Sequence, residues 1–300
     1  MAVVAVVRAG VPNPSRNRWR ARRHPTSGPY SRGVKHSQLI DKLAAGRMPE
    51  TLDDDLARLV WRGMVDHGFG RVGSVLEYVL PRLLSRWNCV LEATDDEVSP
   101  LYRNKTWLAL ATLLHKYGLA DPRITASALV AIDELNDAVA LSDAFFQRSE
   151  EFKKELQEAP KPLTRKPSVP DSITFYRARD VIGIQLDGRF YAAYVLECAY
   201  PNASPVIELY DGVLDHLPRL EEVVGLPARG WFFKGGDGPY VRRLSVTGLK
   251  YEPDPANQIT LIGACVPEPP DNSALKRYDA LYTSSDIFEI QQDIRRMFAK

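Results

Sequence analysis

Cysteine is scarce in this chain: Cys89, Cys198 and Cys265 are spread over 300 residues. No CxxC pair occurs, and an odd number of thiols in unrelated contexts argues against a disulfide framework and against cysteine-rich zinc sites. Each lies in an apolar run and is expected to be a buried thiol in a reducing cytoplasm. No uncharged apolar run approaches the roughly 18–20 residues that a membrane helix needs, so no membrane association is expected. The phosphate cradle GxxxxGK[ST], the nucleophile elbow GxSxG and the zinc motif HExxH are all missing. His24, His36, His67, His115 and His216 show no ligand spacing. Gly235-Gly236-Asp237-Gly238 precedes Pro-Tyr-Val rather than a helix and reads as a turn. The expectation is a non-enzymatic protein with no catalytic residue, no cofactor and no metal.

Acidic residues do cluster, at Asp53-Asp54-Asp55 and Asp95-Asp96-Glu97. Consecutive helical residues point in different directions, so few of these carboxylates could meet at one cation. The first cluster is expected to complement a helix N-terminus and the second to sit in a solvated loop.

Hydrophobic residues make up 45% of the chain and charged residues 26%, enough apolar material for a folded core. Charge is unevenly laid out. Eight of the 39 basic residues lie within 1–38, which has no Asp or Glu, and the remainder carries 31 basic against 38 acidic residues. Residues 1–36 read as a basic, proline-interrupted disordered arm, neither a secretory signal nor a twin-arginine leader. Nucleic acid could be engaged through this arm alone.

The stretch 159–171 contains Pro160, Pro162, Pro167 and Pro170. Proline removes a backbone donor and disfavours helix in the residue before it, so this is an extended linker. It separates a helical domain, 37–158, from an α+β domain, 172–300. The helical domain has four or five helices. Ser37 is expected to cap Gln38–Ala45, and Thr51 to cap a helix ended by Gly68 and Gly70. Val72–Trp87 contains a kink or break at Pro81. Leu101–Tyr117 is stopped by Gly118, and one long helix runs from Arg123 to about Gln157.

Past the linker the period shortens. Asp180–Leu186 and Phe190–Cys198 flank Asp187-Gly188, a strong hairpin signal. Val206–Tyr210, Trp231–Phe233, Val241–Val246 and Ile259–Val266 are further strands. A short helix is expected at Leu217–Val224 and a terminal one at Ser285–Phe298. The fold class is therefore α+β: an N-terminal all-helical domain, then a C-terminal curved antiparallel sheet or small barrel with a terminal helix. Aromatic and basic residues interleave at Trp231-Phe232-Phe233-Lys234 and Tyr240-Val241-Arg242-Arg243. They suit either a stacking surface or the inner face of the sheet.

Asp180-Val-Ile-Gly-Ile-Gln-Leu-Asp-Gly-Arg-Phe-Tyr-Ala-Ala-Tyr-Val-Leu196 resembles the opening hairpin of immunity protein 26, a family of bacterial polymorphic-toxin systems. Pro205–Val213 is similar to that family's third strand. Asn257–Ala264, followed by Val266-Pro-Glu-Pro-Pro270, is similar to its late strand. The likeness covers about Ser172–Pro270; Arg179 and Tyr194 stand where the family pattern has glycine. It implies a non-enzymatic protein that binds a cognate toxin and blocks it by occlusion. An acidic body suits a basic toxin such as a nuclease domain. On this reading Tyr210, Asp211, Trp231 and Phe232 are the expected partner-binding residues. The alternative is a nucleic-acid-associated or regulatory two-domain binding protein that uses the basic arm.

Overall fold

A computed structural model describes residues 35–169, 173–233, 236–277 and 281–299. The basic arm, apart from Lys35 and His36, lies outside the described residues.

Among the described residues seven helices come first: α1 (His36–Ile40), α2 (Met48–Gly68), α3 (Val75–Leu91), α4 (Pro100–Lys116), α5 (Pro122–Asp137), α6 (Asp143–Phe146) and α7 (Ser149–Gln157). Apolar residues surround α4, where every residue from Leu108 to Leu114 is buried, so it forms the centre and the others pack around it. Ser74, Ser99 and Asp121 cap α3, α4 and α5 by accepting backbone N–H bonds. Gly70 and Gly118 follow α2 and α4 at φ +67° and +73°.

Several boundaries differ from the sequence reading. The cap of α1 is Lys35 rather than Ser37. α2 begins before Thr51, because Pro49 at the first turn has its φ already set for helix. Thr51 lies inside, and its hydroxyl bonds the Arg47 carbonyl at 2.9 Å. Pro81 stays within a continuous α3. The expected long last helix is three pieces, and Val139 at φ +49° marks the first break, after α5.

The second half contributes β1 (Val181–Leu186), β2 (Arg189–Tyr200), β3 (Ala203–Leu209), α8 (Leu220–Val223), β4 (Trp231–Phe232), β5 (Pro239–Tyr240), β6 (Arg243–Thr247), β7 (Ile259–Gly263), β8 (Thr283–Asp286) and α9 (Glu289–Met297). Asp187 and Gly188 turn the β1–β2 hairpin at φ +53° and +68°. One six-stranded sheet runs β7-β1-β2-β3-β6-β8. Its order ends at β7 and β8, so it is an open sheet rather than a barrel. It is mixed rather than purely antiparallel, because β8 joins β6 in parallel. Thr283–Asp286 was expected to be partly helical. Instead it forms β8, and the Asp286 carboxylate then accepts the Phe288 and Glu289 amides at 2.9 and 2.8 Å to start α9.

Side chains alternate across the sheet. Ile182, Ile184, Leu186, Tyr191, Ala193, Val195, Ile207 and Leu209 face one core, and Val181, Ala192 and Tyr194 face a smaller one closed by Val223 of α8. The first core is continuous from Leu39 of α1 to Met297 of α9, so helices and sheet bury one another across the proline-rich stretch. No described helix is long and apolar enough to cross a membrane.

Candidate partner-binding face

β4 and β5 pair with each other, Trp231 opposite Tyr240 and Phe232 opposite Pro239, and Tyr240 forms a further parallel bridge with Lys276. This two-stranded ribbon stands outside the main sheet. Its foot is fixed by backbone bonds from Asp211 N–H to the Pro227 carbonyl and from Arg229 N–H to the Leu209 carbonyl, both 2.8 Å. Gly230 is required there, because a Cβ would lie 2.6 Å from Pro239 Cβ. The rings of Trp231 and Phe233 meet edge-on at 6.3 Å, and those of Phe233 and Tyr240 at 5.3 Å. Phe232 points the other way and is 64% exposed.

The four sequence-picked residues therefore separate. Trp231 and Phe232 share the ribbon. Asp211 lies at its foot, paired with Arg229 at 2.9 Å. Tyr210 is buried in the smaller core with Val181 and Val223 and offers no contact surface.

Three described basic residues near the ribbon have protein contacts. Arg242 lies over the Trp231 ring at 5.0 Å. Arg243 donates to Glu208 at 3.1 Å. Lys276 pairs with Asp237, whose carboxylate also accepts the Tyr240 hydroxyl at 2.9 Å.

Two adjoining clefts, about 690 and 810 Å³, lie at the junction of helices and sheet and share Glu97, Val98 and Asn257. In the smaller, Arg47 lies against the adjacent rings of Tyr251 at 4.4 Å and Phe175 at 5.5 Å. The larger holds Cys89, whose thiol burial pushes up to about 12, so it stays protonated at neutral pH. Its carboxylates are also occupied. Asn88 donates to Glu92 at 2.7 Å. The Thr94 amide and hydroxyl hold Glu97 below the usual carboxylate range. Arg295 does the same for Asp187. No histidine lines either cleft.

The two other cysteines divide: Cys198 is half-buried, while Cys265 is exposed rather than buried, on a residue at φ +56° beyond β7.

The Asp53-Asp54-Asp55 run does not serve the helix N-terminus, because α2 starts five residues earlier. Its carboxylates diverge to three cations: Asp53 to Lys116 at 2.7 Å, Asp54 to Lys250, and Asp55 to Arg86 at 2.8 Å. Arg86 is buried and also holds Asp254, at 2.8 and 3.0 Å. The two carboxylates outweigh burial and raise the guanidinium's affinity for its proton. This cluster is buried and its members are paired, so it joins helices to sheet; of the three, Asp254 also lines the smaller cleft. Among the described residues, metal-type donors converge at His36, His115 and Glu155.

Comparisons with protein-family models, with curated proteins and with solved structures find no match to this chain.

Proposed function

We propose that this chain is a non-enzymatic immunity protein that neutralises a protein toxin by occlusion, with the β4–β5 ribbon as its principal contact. One observation carries the reading: Phe232 stands 64% exposed on an aromatic-rich ribbon separate from the six-stranded sheet. Burying such an exposed ring beside other anchored rings is how a few residues come to dominate a protein interface. Asp211 and Asp237 at its edges add polar contacts. The likeness of Asp180–Leu196 to the immunity protein 26 hairpin supports the same reading, as does the excess of acidic residues beyond residue 38.

The test is neutralisation of the toxin domain encoded beside this chain's gene. Co-expression should restore growth, and calorimetry should give a nanomolar complex. Phe232→Ala should weaken it by at least about tenfold, with the melting temperature unchanged. A neighbouring toxin that still kills in the presence of the chain, or a complex indifferent to both Phe232→Ala and Trp231→Ala, overturns the proposal.

A further inference from the structure

Three residues far apart in sequence bring metal-type donor atoms within 4.8 Å of one another: His36 on α1, His115 on α4 and Glu155 on α7. His36 Nε2 lies 2.8 Å from His115 Nδ1. The other ring nitrogen of His115, Nε2, is 3.0 Å from the Glu158 carbonyl. A carbonyl can only accept, so His115 Nε2 carries the proton and Nδ1 presents a lone pair toward His36. A histidine fixed through its far nitrogen to a backbone carbonyl is the usual outer support of a metal ligand. His115 is buried and held in orientation, while His36 and Glu155 are partly exposed.

His36 also lines a cleft of about 490 Å³ that contains Asp41, Glu50 and Asp53. Of the three donors His36 is the one that lines this cleft, which also contains Lys116. Burial and the neighbouring His115 hold the His36 ring below its ordinary pKa, against the pull of Glu155.

We propose that His36 Nε2, His115 Nδ1 and the Glu155 carboxylate form a binding site for one divalent transition-metal ion of the zinc class, with water completing the shell. Two imidazoles and one carboxylate are a well-established zinc donor set. Tetrahedral coordination at about 2.0–2.1 Å places ligand atoms about 3.3 Å apart. The two imidazoles need only open slightly from their 2.8 Å separation. Glu155 needs a change of side-chain torsion. His36 moves its ring proton from Nε2 to Nδ1, which leaves the ring neutral and releases no proton. The bound ion would tie α1 and α7 to α4.

Titration of the full chain with Co²⁺, followed by Zn²⁺ displacement, tests this. One equivalent should bind, give the visible absorption of low-coordinate cobalt, and be displaced by one equivalent of Zn²⁺. His36→Asn and Glu155→Gln should each weaken binding by at least about tenfold, and the double variant should abolish the absorption. Both positions are partly exposed, so circular dichroism should be unchanged; His115 is left intact because it is buried. Excess Zn²⁺ should raise the melting temperature of the parent and not of the double variant. Absence of any cobalt absorption overturns the proposal, as does an equivalent bound unchanged by the double variant. Neither result bears on toxin binding, which the Phe232 experiment reads separately.

Discussion

Charge in this molecule is used one side chain at a time. Three successive aspartates of α2 reach Lys116, Lys250 and Arg86 because neighbouring helical residues are about 100° apart, so a sequence cluster becomes three separate ties. Their worth depends on burial more than on number. Asp187 shows the exposed limit: Arg295 holds its carboxylate with two bonds, 2.7 and 2.8 Å, tying the β1–β2 turn to α9. Both partners remain about half exposed, so solvent screening keeps the pair weak. Asp187→Asn keeps an Asn-Gly turn and loses only the ion pair, and should cost about 0.5 kcal/mol near neutral pH. Arg295 lowers the Asp187 pKa in the folded state. The stabilisation is thus complete above the ordinary carboxylate range and is lost as pH falls through the lowered folded value. Urea melts of parent and variant should differ at pH 7 and converge toward pH 2. A gap that persists at pH 2 would place the effect in the turn rather than in the charge.

At the scale of elements, local signals explain most of the architecture and long-range ones explain the errors. The Asp187-Gly188 turn, the glycines after α2 and α4, and the alternation along β1 and β2 were legible because each depends on residues within a few positions. The start of β8 was not. Thr283–Asp286 contains no alternation of its own and becomes a strand because β6 offers it an edge. Trp231–Phe233 was read as a strand of the main sheet and Pro239–Tyr240 was not read as a strand, because a two-residue strand has too few positions to show alternation. Tyr210 was misplaced for a similar reason: its burial comes from Val181, Val223 and Val266, distant in sequence. His36, His115 and Glu155 sit on three helices, and no local motif could have joined them. The broken last helix is the most instructive case. A helical pattern runs on past Asp137, yet the chain turns at Val139 with φ +49°. A β-branched residue pays about 1–2 kcal/mol for that conformation. Val139 is 82% exposed and gains little from packing there. Val139→Gly should therefore raise stability by about 1 kcal/mol, and Val139→Ala should not. Equal effects from both substitutions, measured by urea unfolding, would show that the left-handed turn is not the source of the strain.

At the scale of the whole molecule, helices and sheet are coupled by shared apolar core and by a buried ion cluster. Arg86 from α3 binds Asp55 of α2 and Asp254 beside β7, and all three are less than about a tenth exposed. Asp254 further accepts the Gln258 and Ile259 amides at 3.2 and 3.1 Å, and the Trp87 indole donates to Asp55 at 3.0 Å. Burial raises the Asp55 pKa and Arg86 opposes it, so removing the guanidinium leaves two carboxylates in a low-dielectric interior without their counter-ion. Such a loss costs about 3–5 kcal/mol, more than the pair itself contributes. Because the cluster belongs to both halves, Arg86→Ala should weaken them together. Native-state hydrogen exchange reads this directly. The slowest amides of α3 and α4 and those of β1 and β2 should open with one common free energy in the parent, and the variant should lower both by the same amount. If only the helical amides lose protection, the proline-rich stretch divides two independently folding domains and the shared core is a docking contact. If both fall together, the stretch is a connector laid across one cooperative unit, and the ribbon is presented on a platform whose rigidity draws on the helices as well as the sheet.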